Sequence, residues 1–227
     1  MTGGTLDYYI SSGPPRPAGL GKHLFAWALA RGGKTIDGVI APRKQALLGG
    51  LGGDLLEIGP GSGANLAFFP DGLRWVGVEP NPFMHGYLRE ALRRRGIPPE
   101  RYRIDPGDPR GIRLPAADAS VDAVISTHVL CSVPDQGQVM QEILRVLKPG
   151  GQFVFIEHVA APRGTALRAF QNFIQPLWTW VGEGCRPNRE TWEAISGAGF
   201  ARVEMDHFVY PGGGPVGPHI SGRAVKA

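Results

Sequence analysis

The stretch DLLEIGPGSGANLAFFP, Asp54 to Pro70, decides how the rest of the chain is read. Asp54 to Ile58 is an apolar run of the right length for a buried strand, and the segment starting at Ala64 predicts a helix through Phe69. Between them glycine occupies alternate positions, Gly59, Gly61 and Gly63. Glycines where a strand hands over to a helix leave main-chain amides bare, so that a polar ligand can lie directly on them. A dinucleotide, a phosphate and an unphosphorylated nucleoside all satisfy that pattern, and the triplet alone selects none of them.

The next element narrows the choice. RWVGVE reads as a second strand ending on Glu79, twenty positions after Gly59. A carboxylate there accepts hydrogen bonds from both hydroxyls of a ribose and repels a 2′-phosphate. Further along, PFMHGYLREALRRR is an amphipathic helix with Pro82 in its first turn. RYRI and VDAVIST follow as strands, the second of them strong, with Asp122 capping a turn at its start. QGQVMQEILRVL is a helix that KPGG stops, and QFVFIEHV is the fifth strand. Helical segments near 165–181 and 188–197 precede two closing strands, ARVEMDHFVY and PHISGRAVKA, which pair antiparallel. Two more helices, near 20–31 and 35–48, precede the glycine loop. The alternation predicts an α/β fold: a doubly wound, seven-stranded, mostly parallel sheet with an antiparallel last strand, its ligand at the carboxyl ends of the strands.

A chain of 227 residues suits a single α/β domain. The formal charge of +4 is small, and the basic run Arg93-Arg94-Arg95 complements a helix C-terminus, so a nucleic-acid partner is not expected. Cys131 and Cys185 lie far apart and show no metal-ligand spacing, and with no visible signal peptide they read as reduced thiols of a cytoplasmic protein. No apolar run approaches the roughly 20 residues of a membrane span. LFAWALA, Leu24 to Ala30, reads as a helix face packed on the domain or over the site, with peripheral membrane contact as the alternative.

In order along residues 54–158, EIGPGSG, the acid Glu79, GD at Gly107-Asp108, and LKPGG resemble the class I S-adenosylmethionine-dependent methyltransferases. THVLCSV, FIEHVAA, EGCRPNRETW and PHISGRAVK extend the resemblance to the methyltransferase-like-seven group, the alkyl thiol S-methyltransferases. That group carries a long hydrophobic N-terminal anchor, which LFAWALA does not match in length. The resemblance implies S-adenosyl-L-methionine as cofactor and a small-molecule methyl acceptor. It divides the chain into an N-terminal helical segment proposed as a lid (1–50), a cofactor-binding core (51–160) and an acceptor side (161–227).

It also implies roles for individual residues. Glu57, Gly59, Gly61 and Gly63 shape the methionine pocket; Glu79 binds the ribose, with Pro80 and Asn81 along the nucleoside edge. Asp108 faces the adenine amino group, and Pro109 departs from the small residue usual there because it has no N–H to offer an adenine nitrogen. Ser126, Thr127 and His128 line the sulfonium. His128 and His158 are the candidate catalytic bases, with His207 and His219 weaker ones. Cys131 reads as packing, and Cys185 as core or acceptor-pocket lining. Phe170, Phe173, Trp178 and Trp180 read mainly as core, and their number suggests an apolar acceptor. The expected reaction is S-methylation of a small, fairly apolar thiol, without a metal. The alternatives are N-methylation of a small amine or phospholipid headgroup, and a cofactor-binding module without catalysis.

Overall fold

The computed structural model describes residues 38–108, 111–182 and 184–227. The strands are β1 (Asp54–Ile58), β2 (Arg74–Val78), β3 (Tyr102–Asp105), β4 (Val121–Thr127), β5 (Leu147–His158), β6 (Arg202–Val209) and β7 (Pro218–Val225). They form one sheet in the order β3-β2-β1-β4-β5-β7-β6. The first five pair parallel, and β7 inserts antiparallel between β5 and β6. Register aligns the carboxyl ends: Ile58 faces Val78 on one side and Ser126 on the other, and Val78 faces Asp105. The strand order reverses between β1 and β4, which opens a crevice at that end of the sheet.

Side-chain alternation builds two cores. Leu56, Ile58, Val124, Phe153 and Phe155 pack with Val139, Ile143 and Val146 of α3 (Gln136–Val146) and Ile195 of α5 (Thr191–Ser196). Leu55, Trp75, Ala123 and Val154 point the other way, toward Leu48 of α1 (38–48) and Leu88 and Leu92 of α2 (Met84–Arg95). Each helix offers one apolar stripe at helical spacing, so each face of the sheet receives one layer. Asp135 caps α3 by accepting from the Gln138 amide at 3.0 Å, and Thr165 caps α4 (Ala166–Val181) through the Arg168 amide at 3.2 Å.

Three local expectations change. The segment after β1 is turns and one 3₁₀ turn, Leu66–Phe68, ended by Pro70 and Gly72, so no α-helix forms there. Pro82 precedes α2, and the Asn81 side chain makes the entry turn by accepting from the Phe83 amide at 3.1 Å. KPGG stands inside β5 as a bulge: Leu147 pairs with Val121, but Gln152 is the next residue in register, opposite Ala123. Asp122 fixes this bulge by accepting from Lys148 Nζ at 2.8 Å and from the Asp54 amide at 2.8 Å, which also anchors the start of β1. The predicted helix near 20–31 lies outside the described residues, so of the N-terminal segment proposed as a lid only the second predicted helix, α1, is described.

Candidate active site

Strand alternation first decides which side chains lie under the glycine loop. Glu57, 2% exposed, shares the face of Leu55 and Trp75. Its carboxylate accepts from Asn65 Nδ2 at 2.8 Å and from Trp75 Nε1 at 2.9 Å. Glu57 therefore lies beneath the loop, with both oxygens committed to the protein. Burial pushes its carboxyl up to about 7, against those two hydrogen bonds and the positive charge of Lys44. Asn65 also donates to Thr127 Oγ1 at 3.0 Å, which joins the loop to β4. The Asn65 Oδ1 atom is buried without a hydrogen-bond partner among the described residues.

Above this floor the loop needs its glycines. Gly59 has φ +60°, and a Cβ there would sit 2.6 Å from Val129 Cγ2. Gly63 has φ +86°, and its Cβ would meet Leu66 Cδ1 at 2.8 Å. The Gly61 amide donates to Glu79 Oε2 at 2.9 Å, and the Asn81 amide donates to Oε1 at 2.8 Å. His85 Nε2 donates to the Glu79 carbonyl at 2.7 Å. Glu79, 6% exposed, is thus aimed across the loop and held from three sides. Pro80 is exposed and Asn81 half-buried beside it. Asp108, half-buried after β3, accepts weakly from the Arg113 amide at 3.4 Å; Pro109 lies outside the described residues.

These residues fit a nucleoside bearing an amino-acid tail. An orphaned buried acceptor, Asn65 Oδ1, suits an ammonium group, and a buried carboxylate suits a ribose diol. A buried cation lies on the same floor: Lys44 of α1, 1% exposed, whose charge reaches both Glu57 and His128. Such a charge suits the tail's carboxylate.

The β4 side is organised by a carboxylate that the sequence reading did not single out. Glu157, on β5, is fully buried; it accepts from Ser126 Oγ at 2.6 Å and from the Val129 and Leu130 amides at 2.9 and 3.1 Å. Ser126 is therefore withdrawn from the predicted sulfonium lining, because alternation turns it to the face opposite Thr127. Burial pushes the Glu157 carboxyl up to about 7, opposed by those three donors. The loop it holds carries His128 in the left-handed region, φ +57°, where a non-glycine residue stays only if its surroundings fix it.

His128 Nε2 lies 3.0 Å from His219 Nε2, and His219 Nδ1 lies 2.8 Å from the Gly217 carbonyl. A carbonyl only accepts, so His219 carries its proton on Nδ1 and presents a bare Nε2. His128 must then donate from Nε2, which leaves its Nδ1 as the free base. Burial, then the His219 and His158 rings, holds His128 well below the usual histidine range. Burial likewise lowers His219 to about 4. Both rings are neutral near pH 7.

Among the four histidines weighed from sequence, His128, His158 and His219 converge, with ring centroids 5.1–6.3 Å apart. His158 is bonded to Cys185, its Nε2 lying 3.2 Å from Sγ. His207 instead packs edge-on against Trp192, 5.6 Å away on the outer strand. The aromatics of α4 are not core. Phe170, Phe173 and Trp180 are 49%, 83% and 59% exposed, because Gln171, fully buried, takes the inward position and binds the Ala161 amide and the Pro215 carbonyl. Only Trp178 of that group turns toward the site, its indole N–H donating to Cys185 Sγ at 3.4 Å. Lys44, Asn65 and Glu157 were missed. Glu157 had a signal, a lone acid inside the apolar run QFVFIEHV; Lys44 had none.

A family model described as a methyltransferase domain matches residues 56–155, from β1 into β5. The chain is 42% identical over 175 residues to thiol S-methyltransferase TMT1B of Homo sapiens, spanning 76% of this chain and 70% of that protein. It is 28% identical over 142 residues to phosphatidylethanolamine N-methyltransferase of Cereibacter sphaeroides, spanning 59% and 68%. Among solved structures, geranyl diphosphate C-methyltransferase from Streptomyces coelicolor, in complex with S-adenosyl-L-homocysteine, superposes with a TM-score of 0.64. That match covers 82% of this chain and 76% of the other at 16% identity, a likeness of fold. The chain belongs to the S-adenosylmethionine-dependent methyltransferases, within the family that includes TMT1B.

Proposed function

We propose that the chain methylates the sulfur of a small, apolar thiol. The observation that carries the reading is the neutral His128–His219 pair at the mouth of β4, with His128 Nδ1 as the one unprotonated nitrogen not engaged within the pair. S-adenosylmethionine, when bound, supplies an electrophilic methyl group on a sulfonium. The chain's own work is to align the acceptor and take one proton. Alignment alone supplies roughly 7–11 kcal/mol in well-oriented reactions. A thiol with pKa about 8.5 is already a few per cent thiolate at neutral pH, so a weak imidazole base suffices. An aliphatic hydroxyl asks for a far stronger base than a histidine held below its usual range. The sequence likeness to TMT1B supports the same acceptor class. Two free cysteines, Cys131 and Cys185, support a cytoplasmic setting.

A second reading, N-methylation of an amine or a phospholipid headgroup, draws support from the likeness to the phosphatidylethanolamine enzyme. A buried neutral pocket also keeps an amine uncharged and nucleophilic. Incubation with methyl-labelled S-adenosylmethionine against parallel thiol and amine panels separates them. Label is expected in thiols. Label confined to amines would replace the thiol reading with the second, and cofactor binding with label in neither panel would overturn both.

A further inference from the structure

Cys131, His158 and Cys185 come from three separate segments: the loop after β4, the end of β5 and the loop after α4. One ligand atom from each lies within 4.8 Å of the other two. Cys185 Sγ is 3.2 Å from His158 Nε2. The Arg186 amide donates to the Cys131 carbonyl at 3.1 Å, so main chain ties the two cysteine loops together. Arg189 braces the same loop through the Leu130 and Val133 carbonyls, at 2.9 and 2.6 Å. The Trp178 indole N–H points at Cys185 Sγ, a donor of the kind that steadies a ligating thiolate. His158 is 6% exposed, and its Nδ1 is buried without a partner among the described residues.

Two sulfurs and one imidazole, with Cys131 and His158 buried and Cys185 half-buried, are the donor set of a soft, tetrahedral ion. We propose that Cys131, Cys185 and His158 bind one zinc-class divalent ion and leave its fourth position open to a sulfur ligand. Metal–ligand lengths for such an ion put the ligand atoms about 3.5–3.8 Å apart, within side-chain adjustment of the spacing seen. Binding releases two thiol protons per ion to solvent, so the occupied site is electrically neutral and tolerates a cationic cofactor nearby. The His158 ring lies 6.3 Å from that of His128, which places the ion beside the base. A thiolate is the natural fourth ligand for an ion already chosen by sulfur. That last step rests on the thiol reading above; the three-ligand site does not.

Titration of the reduced full chain with Co²⁺ tests the site. Sulfur-to-cobalt charge-transfer absorption should saturate at one ion per chain, with two protons released, and Zn²⁺ should displace it. Cys131→Ser and Cys185→Ser should each weaken binding by at least about 100-fold, and His158→Ala by about 10-fold or more. Calorimetry with S-adenosylhomocysteine shows that the variants fold. Absence of the charge-transfer band in the folded wild type, or wild-type affinity in both serine variants, overturns the site. An alkanethiol added to the cobalt protein should shift its visible bands, and unshifted bands overturn the open position. Chelation should lower thiol methylation by about 10-fold or more. Unchanged turnover after chelation overturns the ion's role with the acceptor and leaves the thiol reading standing. No thiol turnover with the ion bound overturns the thiol reading, while the cobalt titration still reports the site.

Discussion

On the β1–β2 side the pocket is main chain held by neighbours close in sequence; on the β4–β5–β7 side it is side chains that meet only because the sheet folds back on itself. Gly61, Glu79 and Asn81 are joined by two amide hydrogen bonds within one strand–loop–strand unit. The His128–His219 contact spans 91 positions and exists because β7 inserts antiparallel beside β5, setting His158 opposite His219. The first arrangement suits a ligand of fixed shape. The second offers groups whose chemistry depends on burial and on one another, as expected where the variable substrate binds.

The largest effect should come from the carboxylate that supports the second region. Glu157→Ala leaves the buried Leu130 amide and Ser126 hydroxyl, and the part-buried Val129 amide, without their acceptor. A loss of about 3 kcal/mol or more in denaturant-unfolding stability is expected, since several buried donors are stranded at once. A loss under about 1 kcal/mol would mean that the β4 loop is not organised by Glu157.

The base itself comes next. His128→Asn keeps a residue that tolerates the left-handed backbone and removes the bare Nδ1. Turnover should fall roughly 100-fold, while S-adenosylhomocysteine affinity by calorimetry stays within about 3-fold. Equal losses in both would place His128 in the cofactor floor and erase the contrast between the two regions.

That contrast also explains what could be read in advance. The glycine loop, Glu79 and the succession of strands along the chain through β5 were legible because their spacing is set within short pieces of chain. The acceptor side was not. Ser126 lies near the end of the right strand, but only a two-residue period shows that it faces Glu157 and that Thr127 faces Asn65. His219 sits in a terminal strand whose place in the sheet no local pattern reveals. Phe173 and Trp180 look like core in a hydrophobic count, yet they share the outer face of α4 with Leu177, 67% exposed. Cys131 and Cys185 show no ligand spacing in sequence, and their proximity is wholly a product of the fold.

On the cofactor side, Glu79→Ala should weaken S-adenosylhomocysteine binding by about 10-fold or more, because a buried acceptor for the ribose is lost together with the anchor of the Gly61 amide. Unchanged calorimetric affinity would detach the glycine loop from the ligand and undo the reading of the first region.

The smallest effect is a change in pH dependence, and it isolates the histidine pair. His219 titrates near 4 in the folded chain against 6.5 when unfolded, chiefly because of burial. With the folded value depressed, the unfolded state takes up more protons between those values, so acid destabilises the native protein. His219→Asn removes that titration and relieves one of the causes that lower His128, while Glu57 and Glu157, whose raised values work in the opposite direction, remain. The variant should be less stable near neutrality, since Asn cannot both donate to Gly217 and accept from His128 across the full span of the ring. Between about pH 7 and pH 5.5 the wild type should then lose about 1 kcal/mol relative to the variant, narrowing the gap. A gap that stays constant across this range would mean that His219 takes up a proton in the folded state as readily as in the unfolded chain. Below about pH 6.5 its Nε2 would then be a donor, His128 would have to turn an unprotonated nitrogen toward it, and the free base at the mouth of β4 would be lost in mild acid.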